Sequence, residues 1–452
     1  MAKLFGIKKS MDKCFNWYVF ILMVLLTCLL HNFNFSVPKS RFSTFKSEGG
    51  IMSNTSCQNR YIYIQHLPSR FNTDILKDCS SILKWQNMCI FISNFGIGPI
   101  APNFENILED KGWYATDQFL LEVIFHNKMK RYKCLTNDSS SATAIFVPFY
   151  AGLDVSRYVL DGSNAQRDEN SLRLAKWIVK TREWKKMQGR DHFSVLGRIS
   201  IDFHRESEDR WGSKLLMLPD FNNMTFLNIE SDSRSSNEFA IPYPTYFHPS
   251  SDIEVFQWQE KVQKLNRSYL YAFVGCRRPN IATSIRDQII QQCISSYPRC
   301  KLLDCNTSDC NNPANVIKTF GKSVFCLQPA GDSYTRRSTF DSILAGCIPV
   351  FFHPRSAYTQ YVWHLPDNST KYSVLIDEEA LRNENVKIEK ILKEIPEHEV
   401  EAMRKEVIKL IPKIIYAHPR SSLRTFEDAF DIAVQNVVQR INSITKKERL
   451  EY

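Results

Sequence analysis

The sequence predicts an α/β protein made of two successive units, each a parallel sheet flanked by helices. Three observations carry this. First, Gly321–Pro354 (GKSVFCLQPAGDSYTRRSTFDSILAGCIPVFFHP) opens with an apolar, β-branched run (Ser323–Leu327) and passes through a polar turn with Pro329 and Gly331. It continues into a segment with Phe340, Ile343 and Leu344 at helical spacing, stops at Gly346, and ends in a second apolar run, Cys347–Phe352. A strand, loop, helix and strand in one sheet require parallel strands and a right-handed crossover. Second, 452 residues exceed one ordinary core. Third, Phe239–Pro249 holds Pro242, Pro244 and Pro249, which cannot continue a helix or central strand, so it reads as a connection between units.

Taken in order, the chain begins with Lys3, Lys8, Lys9 and Lys13, followed by Cys14–Val37, which contains no Lys, Arg, Asp or Glu. Its apolar core, Trp17–Leu30, is short for a span of ~20 residues, but no small-x-small site follows and the uncharged flank His31–Val37 completes the length. Residues 1–13 are expected to be a cytosolic tail and 14–37 a transmembrane signal anchor, with the rest luminal by the positive-inside rule. Residues 38–59, rich in Ser, Lys and Gly, read as a flexible stem. Seven Asn-x-Ser/Thr sequons, at Asn34, Asn54, Asn137, Asn223, Asn266, Asn306 and Asn368, fit that topology. So do 11 of the 13 cysteines, which lie beyond the anchor. Cys293, Cys300, Cys305 and Cys310 suggest a disulfide-held loop; zinc is the weaker reading, since no CxxC pair or interspersed His is present, and no metal site is expected.

The first unit is placed at 60–241. Arg60–Gln65 reads as a first strand and Cys89–Ser93 as another apolar run. The loop Asn94–Pro99 after it is either a close backbone approach to a ligand or a plain turn. Phe119–Met129 has helical spacing, with His126 structural, and Ala144–Phe149 is a buried strand whose loop, Tyr150–Asp154, lies at a carboxyl end where open parallel sheets bind ligands. Asp161–Arg173 is polar, a surface excursion before a helix with Trp177 and Trp184. Gly189-Arg190-Asp191-His192-Phe193 then leads into an apolar strand at Ser194–Gly197; charge there is either functional or a solvated turn.

After a connector at 242–268, the second unit, 269–452, opens with the strand Tyr269–Gly275, and Arg277 and Arg278 follow its end. In the stretch 332–337, Ser333, Arg336 and Arg337 sit at a helix N-terminus, whose free N–H groups and partial positive charge suit a diphosphate. Asp341, one turn on, could accept from ribose hydroxyls, or could merely pair with Arg337 at a value of a few tenths of a kcal/mol. A lone Gly331 makes this neither a P-loop nor a dinucleotide fingerprint. From Lys387 onward the chain is helical, and Leu423–Ser443 is expected to pack back across the junction. The net charge of +10 suits anionic contacts, but Lys and Arg are scattered without aromatic interleaving, which argues against nucleic acid.

FCLQPAGDSYTRRSTFDSILAGCIPVFFHP, from Phe325, resembles the signature of the exostosin-type glycosyltransferases of family 47, most closely the plant xyloglucan galactosyltransferase branch. GWYATDQFLLEVIFHNKMKRYKCLT (from Gly112), AIFVPFYAGLD (from Ala144), GRDHF (from Gly189), FAIPYPTYFHP (from Phe239) and KYSVLID (from Lys371) resemble the same branch in the same order. The resemblance covers nearly everything after Asn59. It implies a GT-B-type fold, two Rossmann-like domains facing across a cleft, with the donor mainly on the second and the acceptor on the first. It further implies inverting transfer of galactose from UDP-galactose to xylose residues of xyloglucan, in the Golgi membrane, with no obligatory cofactor.

Inverting transfer needs a general base and positive charge on the departing diphosphate. Arg277, Arg278, Arg336, Arg337 and Ser333 are the candidates for the charge, since no Asp-x-Asp tripeptide is present, and Asp341 for the ribose. The base is expected among His192 and Asp191 first, then Asp154. Relatives that transfer arabinose or galacturonic acid leave the donor sugar open. A silent paralogue acting as a scaffold for other Golgi glycosyltransferases is the alternative of a different class. Two departures from the family pattern leave room for it: His66, where Asp is usual, and Cys276-Arg277-Arg278, where Ala-Pro-Arg is more common.

Overall fold

Two five-stranded, wholly parallel sheets organise the chain. The computed structural model describes residues 57–451 except 104–106, 282–283, 307 and 384–385. The tail, the anchor, most of the stem and the sequons at Asn34 and Asn54 lie outside the described residues. Among those described, no helix is long and apolar enough to cross a membrane. Both sheets belong to one compact unit, Ser56–Tyr452.

The first sheet runs in chain order: β1 (Ile62–Ile64), β2 (Ala144–Phe146), β3 (His192–Ile199), β4 (Thr225–Glu230) and β5 (Glu238–Ala240). Its strands are buried on both faces and read as near-continuous apolar runs, as a helix-covered parallel sheet demands. The second comprises β6 (Tyr269–Gly275), β7 (Cys300–Asp304), β8 (Ser323–Gln328), β9 (Ile348–Phe351) and β10 (Val374–Leu375), in the order β10-β9-β8-β6-β7. The chain lays β7 on one side of β6 and then returns to lay β8 on the other. The order therefore reverses between β6 and β8, which opens a crevice at their carboxyl ends.

The predicted strand, helix and strand around Gly321–Pro354 are β8, a helix at Arg337–Leu344 and β9. Phe340, Ile343 and Leu344 on that helix are fully buried, and the Cys326–Cys347 disulfide ties its two flanking strands. Gly346 ends it at φ +64°, and an added Cβ there would come within 2.3 Å of Val262, so both the left-handed backbone and the close approach require glycine.

Three local expectations are corrected, and one left open takes one of its two forms. Cys89–Ile92 is a single helical turn with Ile90 exposed, tied by the Cys79–Cys89 disulfide, not a strand. Of the two readings left open for the loop after it, the turn fits the packing of its glycines on Val123 and Ala115. The polar stretch 161–173 is mostly helix, Asn164–Ile178, started by a Ser163/Gln166 capping box. Trp177 and Trp184 fall on two helices, the second being Arg182–Met187.

The predicted connector is a fixed part of the core. Tyr114 N–H donates to Tyr246 O at 2.8 Å and His248 N–H to Gly112 O at 2.6 Å, pinning the Pro-rich segment to the chain before the first long helix. The segment then enters the helix Asp252–Lys264, whose Trp258 packs 4.6 Å from Trp113 and donates Nε1–H to Leu344 O at 2.8 Å. The last helix, Ala429–Glu451, crosses back as expected: Phe430 meets Phe125 at 4.7 Å, Arg440 donates to Thr225, and Asp428, just ahead of it, forms a buried pair with Lys128 at 2.7 Å. One apolar core thus runs through both sheets.

Five disulfides form, including Cys293–Cys300 and Cys305–Cys310 in the predicted cluster, and Cys276 is the unpaired cysteine among the described residues. The sequon asparagines Asn137, Asn223, Asn266, Asn306 and Asn368 are all exposed.

Trp258→Ala should remove about 3–5 kcal/mol of stability, because the indole is fully buried between the two halves of the core. Guanidinium denaturation with intrinsic fluorescence checks this.

Candidate active site

The crevice at the switch point holds a cavity of about 710 Å³. Its second-half wall is built by Gly275, Cys276 and Arg278 beyond β6, and by Gly331–Ser333 and Thr335–Ser338 beyond β8. Its first-half wall comes from the carboxyl ends of β3 (Arg198, Ile199) and β4 (Ile229) and the segment after β3. Arg198, Arg210, Arg278, Arg286, Arg336 and Arg337 line it against only Asp202 and Asp332. Such an excess in a concave, partly dry site selects an anion.

Arg336 holds the β-region conformation that starts the helix Arg337–Leu344. Its guanidinium donates to Val274 O at 2.9 Å and lies over the Phe273 ring. Burial first, then the nearby guanidiniums of Arg286 and Arg278, push its pKa down to about 9. The group keeps its proton, and the shift records how poorly its charge is compensated without a ligand. Arg286 opens the helix Arg286–Ser295 and is buried, donating to Ala330 O at 2.9 Å and Cys276 O at 3.2 Å. An added Cβ on Gly331 would stand 3.0 Å from its Nη2, so glycine lets the loop pass this guanidinium without displacing it.

Arg337 bridges the two halves. It donates to Thr116 O at 2.6 Å and stacks on Tyr246 at 3.7 Å, and its Nε lies 3.5 Å from Asp341 Oδ2. The pair with Asp341 is therefore buried rather than a surface ornament. Burial raises the Asp341 carboxyl to about 6 against the pull of Arg337 and then Arg336. Arg337 Nη2 and Asp341 Oδ1 are buried without a hydrogen-bond partner, a cost of ~1–3 kcal/mol each that a bound ligand could relieve. Beneath Arg337, His248 is held by Thr116 and Tyr416 O, and burial depresses its pKa to about 3, so it adds no charge.

Of the predicted donor-side residues, Arg278, Ser333, Arg336 and Arg337 line the cavity, and Asp341 lies behind Arg337. Arg277 does not line it: half exposed, it lies 3.7 Å from Asp287. Adjacent residues leaving an extended strand face opposite sides, so an Arg-Arg pair delivers one guanidinium to the crevice, not two.

The predicted bases are not brought to the cavity. His192 and Asp191 sit at the amino end of β3, fully buried, with Nδ1 2.7 Å from Asp191 Oδ1 and the ring edge-on to Trp184. The cavity takes Arg198 and Ile199 from the other end of that strand, ~23 Å away at 3.3 Å per residue. Asp154 lies in the helix Ala151–Ser156, buried and held by Arg157 and by Asn170 at 2.8 Å. His126 is structural as expected, 2.7 Å from Tyr150 Oη, with burial lowering its pKa to about 3.

Sequence reasoning missed Arg198, Arg286 and Glu230. Arg286 left a signal, a cation in the first turn of a helix, where the macrodipole disfavours it. Glu230, which closes the otherwise apolar strand TFLNIE, accepts from Thr335 N–H at 2.8 Å and Thr335 Oγ at 2.6 Å. Like Arg337, it joins the first half to the loop before the helix.

A family model described as the Exostosin GT47 domain matches residues 56–392. The chain belongs to the exostosin GT47 family. Xyloglucan galactosyltransferase MUR3 of Arabidopsis thaliana is 53% identical over 403 residues, covering 88% of this chain and 65% of that protein. The chain thus spans about two thirds of that relative's length. Probable xyloglucan galactosyltransferase GT12, also of Arabidopsis thaliana, is 51% identical over 404 residues, 86% of this chain and 78% of that one. Xyloglucan-specific galacturonosyltransferase 1 of the same plant is 39% identical over 388 residues, 85% and 58% respectively.

Arg337→Ala should weaken binding of uridine diphosphate about tenfold or more, the loss of one charge-assisted contact. His192→Gln should leave that affinity within threefold, and isothermal calorimetry measures both.

Proposed function

We propose that this exostosin GT47 protein is an inverting galactosyltransferase that moves galactose from UDP-galactose onto xylose residues of xyloglucan, contributing to cell-wall hemicellulose synthesis. The observation that carries this is the arginine-lined crevice at the switch point of the second sheet, in a chain 53% identical to a protein named a xyloglucan galactosyltransferase. In this reading the halves act as a GT-B pair, with donor on the second and acceptor on the first. The diphosphate lies against Arg278, Arg336 and Arg337 and the backbone near Ser333, while Asp341, expected at the ribose, instead backs Arg337 from behind.

Positive charge placed where the leaving diphosphate gains charge lowers the barrier directly. The guanidiniums supply that charge, so no obligatory cofactor is invoked. Five disulfides and five exposed sequon asparagines support an oxidising, luminal setting, in keeping with a Golgi membrane protein anchored through 14–37. Other Golgi glycosyltransferases are possible partners.

Galacturonic acid and arabinose are the competing donor sugars; the lower identity to the galacturonosyltransferase, 39% against 53%, favours galactose. The scaffold reading is disfavoured by Arg336 and Arg286, buried cations held by backbone carbonyls rather than by carboxylates, a cost that a bound anion would offset.

The full-length chain, incubated with labelled UDP-sugars and xyloglucan oligosaccharides, should transfer galactose in preference to arabinose or galacturonate. Preference for another sugar overturns the donor assignment, and transfer from none favours the scaffold. Chelation with EDTA should leave the rate within twofold, whereas Arg337→Ala should lower turnover ~100-fold.

A further inference from the structure

A second cavity of about 470 Å³ adjoins the first and shares Ile201, His204, Arg210, Asp332 and Ser333 with it. Consecutive residues at the end of β4 divide between the two: Ile229 lines the larger and Glu230 the smaller. The strand end is therefore the partition. With the diphosphate on the arginines of the larger space, the smaller one is where a hydroxyl-bearing acceptor approaches the opposite face of the sugar carbon.

Transfer to a hydroxyl needs a proton acceptor at that partition, and five carboxylates line the two spaces. Four are already committed to guanidiniums. Asp202 takes Arg198 Nε on one oxygen at 2.5 Å and Trp211 Nε1 on the other at 2.7 Å. Asp232 is chelated by Arg234, Glu206 pairs with Arg210 at 2.9 Å, and Asp332 pairs with Arg278 at 3.2 Å. A carboxylate tied to a guanidinium is a poorer base, because the ion pair favours its charged form. Glu230 differs. One oxygen, Oε2, accepts both Thr335 donors, neutral groups of the loop that opens the phosphate-side helix; among the described residues Oε1 has no hydrogen bond, and it is not sealed in the core.

We infer that Glu230 is the catalytic base, its Oε2 fixed by Thr335 and its Oε1 free to take the proton of the acceptor hydroxyl at the junction of the two cavities. This rests on the glycosyl-transfer reading above. The acceptor oxygen forms the new bond to the sugar's anomeric carbon as its proton passes to Oε1. The bond from that carbon to the β-phosphate oxygen breaks, with its electron pair leaving on the diphosphate beside Arg278, Arg336 and Arg337. Protonated Glu230 then returns its proton to water, so the sum is sugar nucleotide plus acceptor giving glycoside, nucleoside diphosphate and one proton.

The competing role is anchoring alone, since the same carboxylate holds the loop. Glu230→Gln separates the two, because the amide oxygen can still accept from Thr335 but the group cannot take a proton at neutral pH. With the full-length chain, UDP-galactose and a xyloglucan oligosaccharide, kcat should fall ~10²–10⁴-fold, the usual range for a lost general base. UDP affinity by calorimetry and the melting temperature should stay at wild-type values within threefold and a few degrees. Thr335→Val, which keeps the carboxylate and removes one anchor, should instead weaken UDP binding more than it lowers kcat. A smaller fall in kcat for Glu230→Gln, or a loss of UDP affinity in step with it, overturns the assignment while wild-type transfer continues to support the function. A wild-type chain that transfers no sugar from any UDP donor overturns the function and this assignment together.

Discussion

The arrangement depends on burying Arg336 and Arg286 at the carboxyl ends of one parallel sheet with, among the described residues, no carboxylate paired to either, beside Arg278 and Arg337, which have one each. Like charges at that range repel, and burial penalises each further. The fold meets the penalty with backbone carbonyls. Val274 O, Pro329 O, Ala330 O and Cys276 O all point at Arg336 or Arg286. These oxygens are available because β6 and β8 end side by side at the switch point and their last carbonyls have no further strand to pair with. Carbonyl dipoles orient the guanidiniums without cancelling their charge, which a carboxylate would do. The clustering of these guanidiniums is thus a consequence of topology: the carbonyls that hold them lie at and just beyond the ends of β6 and β8, where the sheet order reverses.

The first half takes part in holding that site. Arg337 reaches Thr116 O and the face of Tyr246, Glu230 reaches Thr335, Tyr243 Oη lies 3.1 Å from Thr335 Oγ1, and Gln360 brackets Ser231 through both ends of its amide. The loop before the phosphate-side helix is fixed from across the cleft as well as from its own strand. The Pro-rich crossing and the last helix serve the same end, since each is anchored in both halves of a shared core. A linker free to swing would let Arg337 lose Thr116 and leave the guanidinium still more exposed to its neighbours' repulsion.

What the sequence made legible follows from periodicity. The strand, helix and strand around the phosphate-side loop, the helix at the end of Phe119–Met129 and the return of the last helix all depend on apolar spacing, which is local. Strand direction relative to the cleft is not local. His192 was attractive as an ionisable residue beside a strand, but it lies at the amino end, and parallel sheets bind at the other. The same strand, read to its far end, offers Arg198. Cys89–Ser93 and Asp161–Arg173 failed for a related reason: a disulfide and a capping box decided conformations that apolar content alone misassigns.

The side chains that tune the site are the ones least visible in one dimension. Arg286 is in reach of the phosphate-side loop because Gly331 leaves room for it. With alanine there, the new methyl and the guanidinium could not both keep their places, and the guanidinium, a flexible tip, would move before the backbone. Its hydrogen bond to Ala330 O would then weaken, and the turn it holds would loosen two residues before the Asp332 that pairs with Arg278. A single missing Cβ therefore leaves room for Arg286 to hold the loop that carries the partner of Arg278.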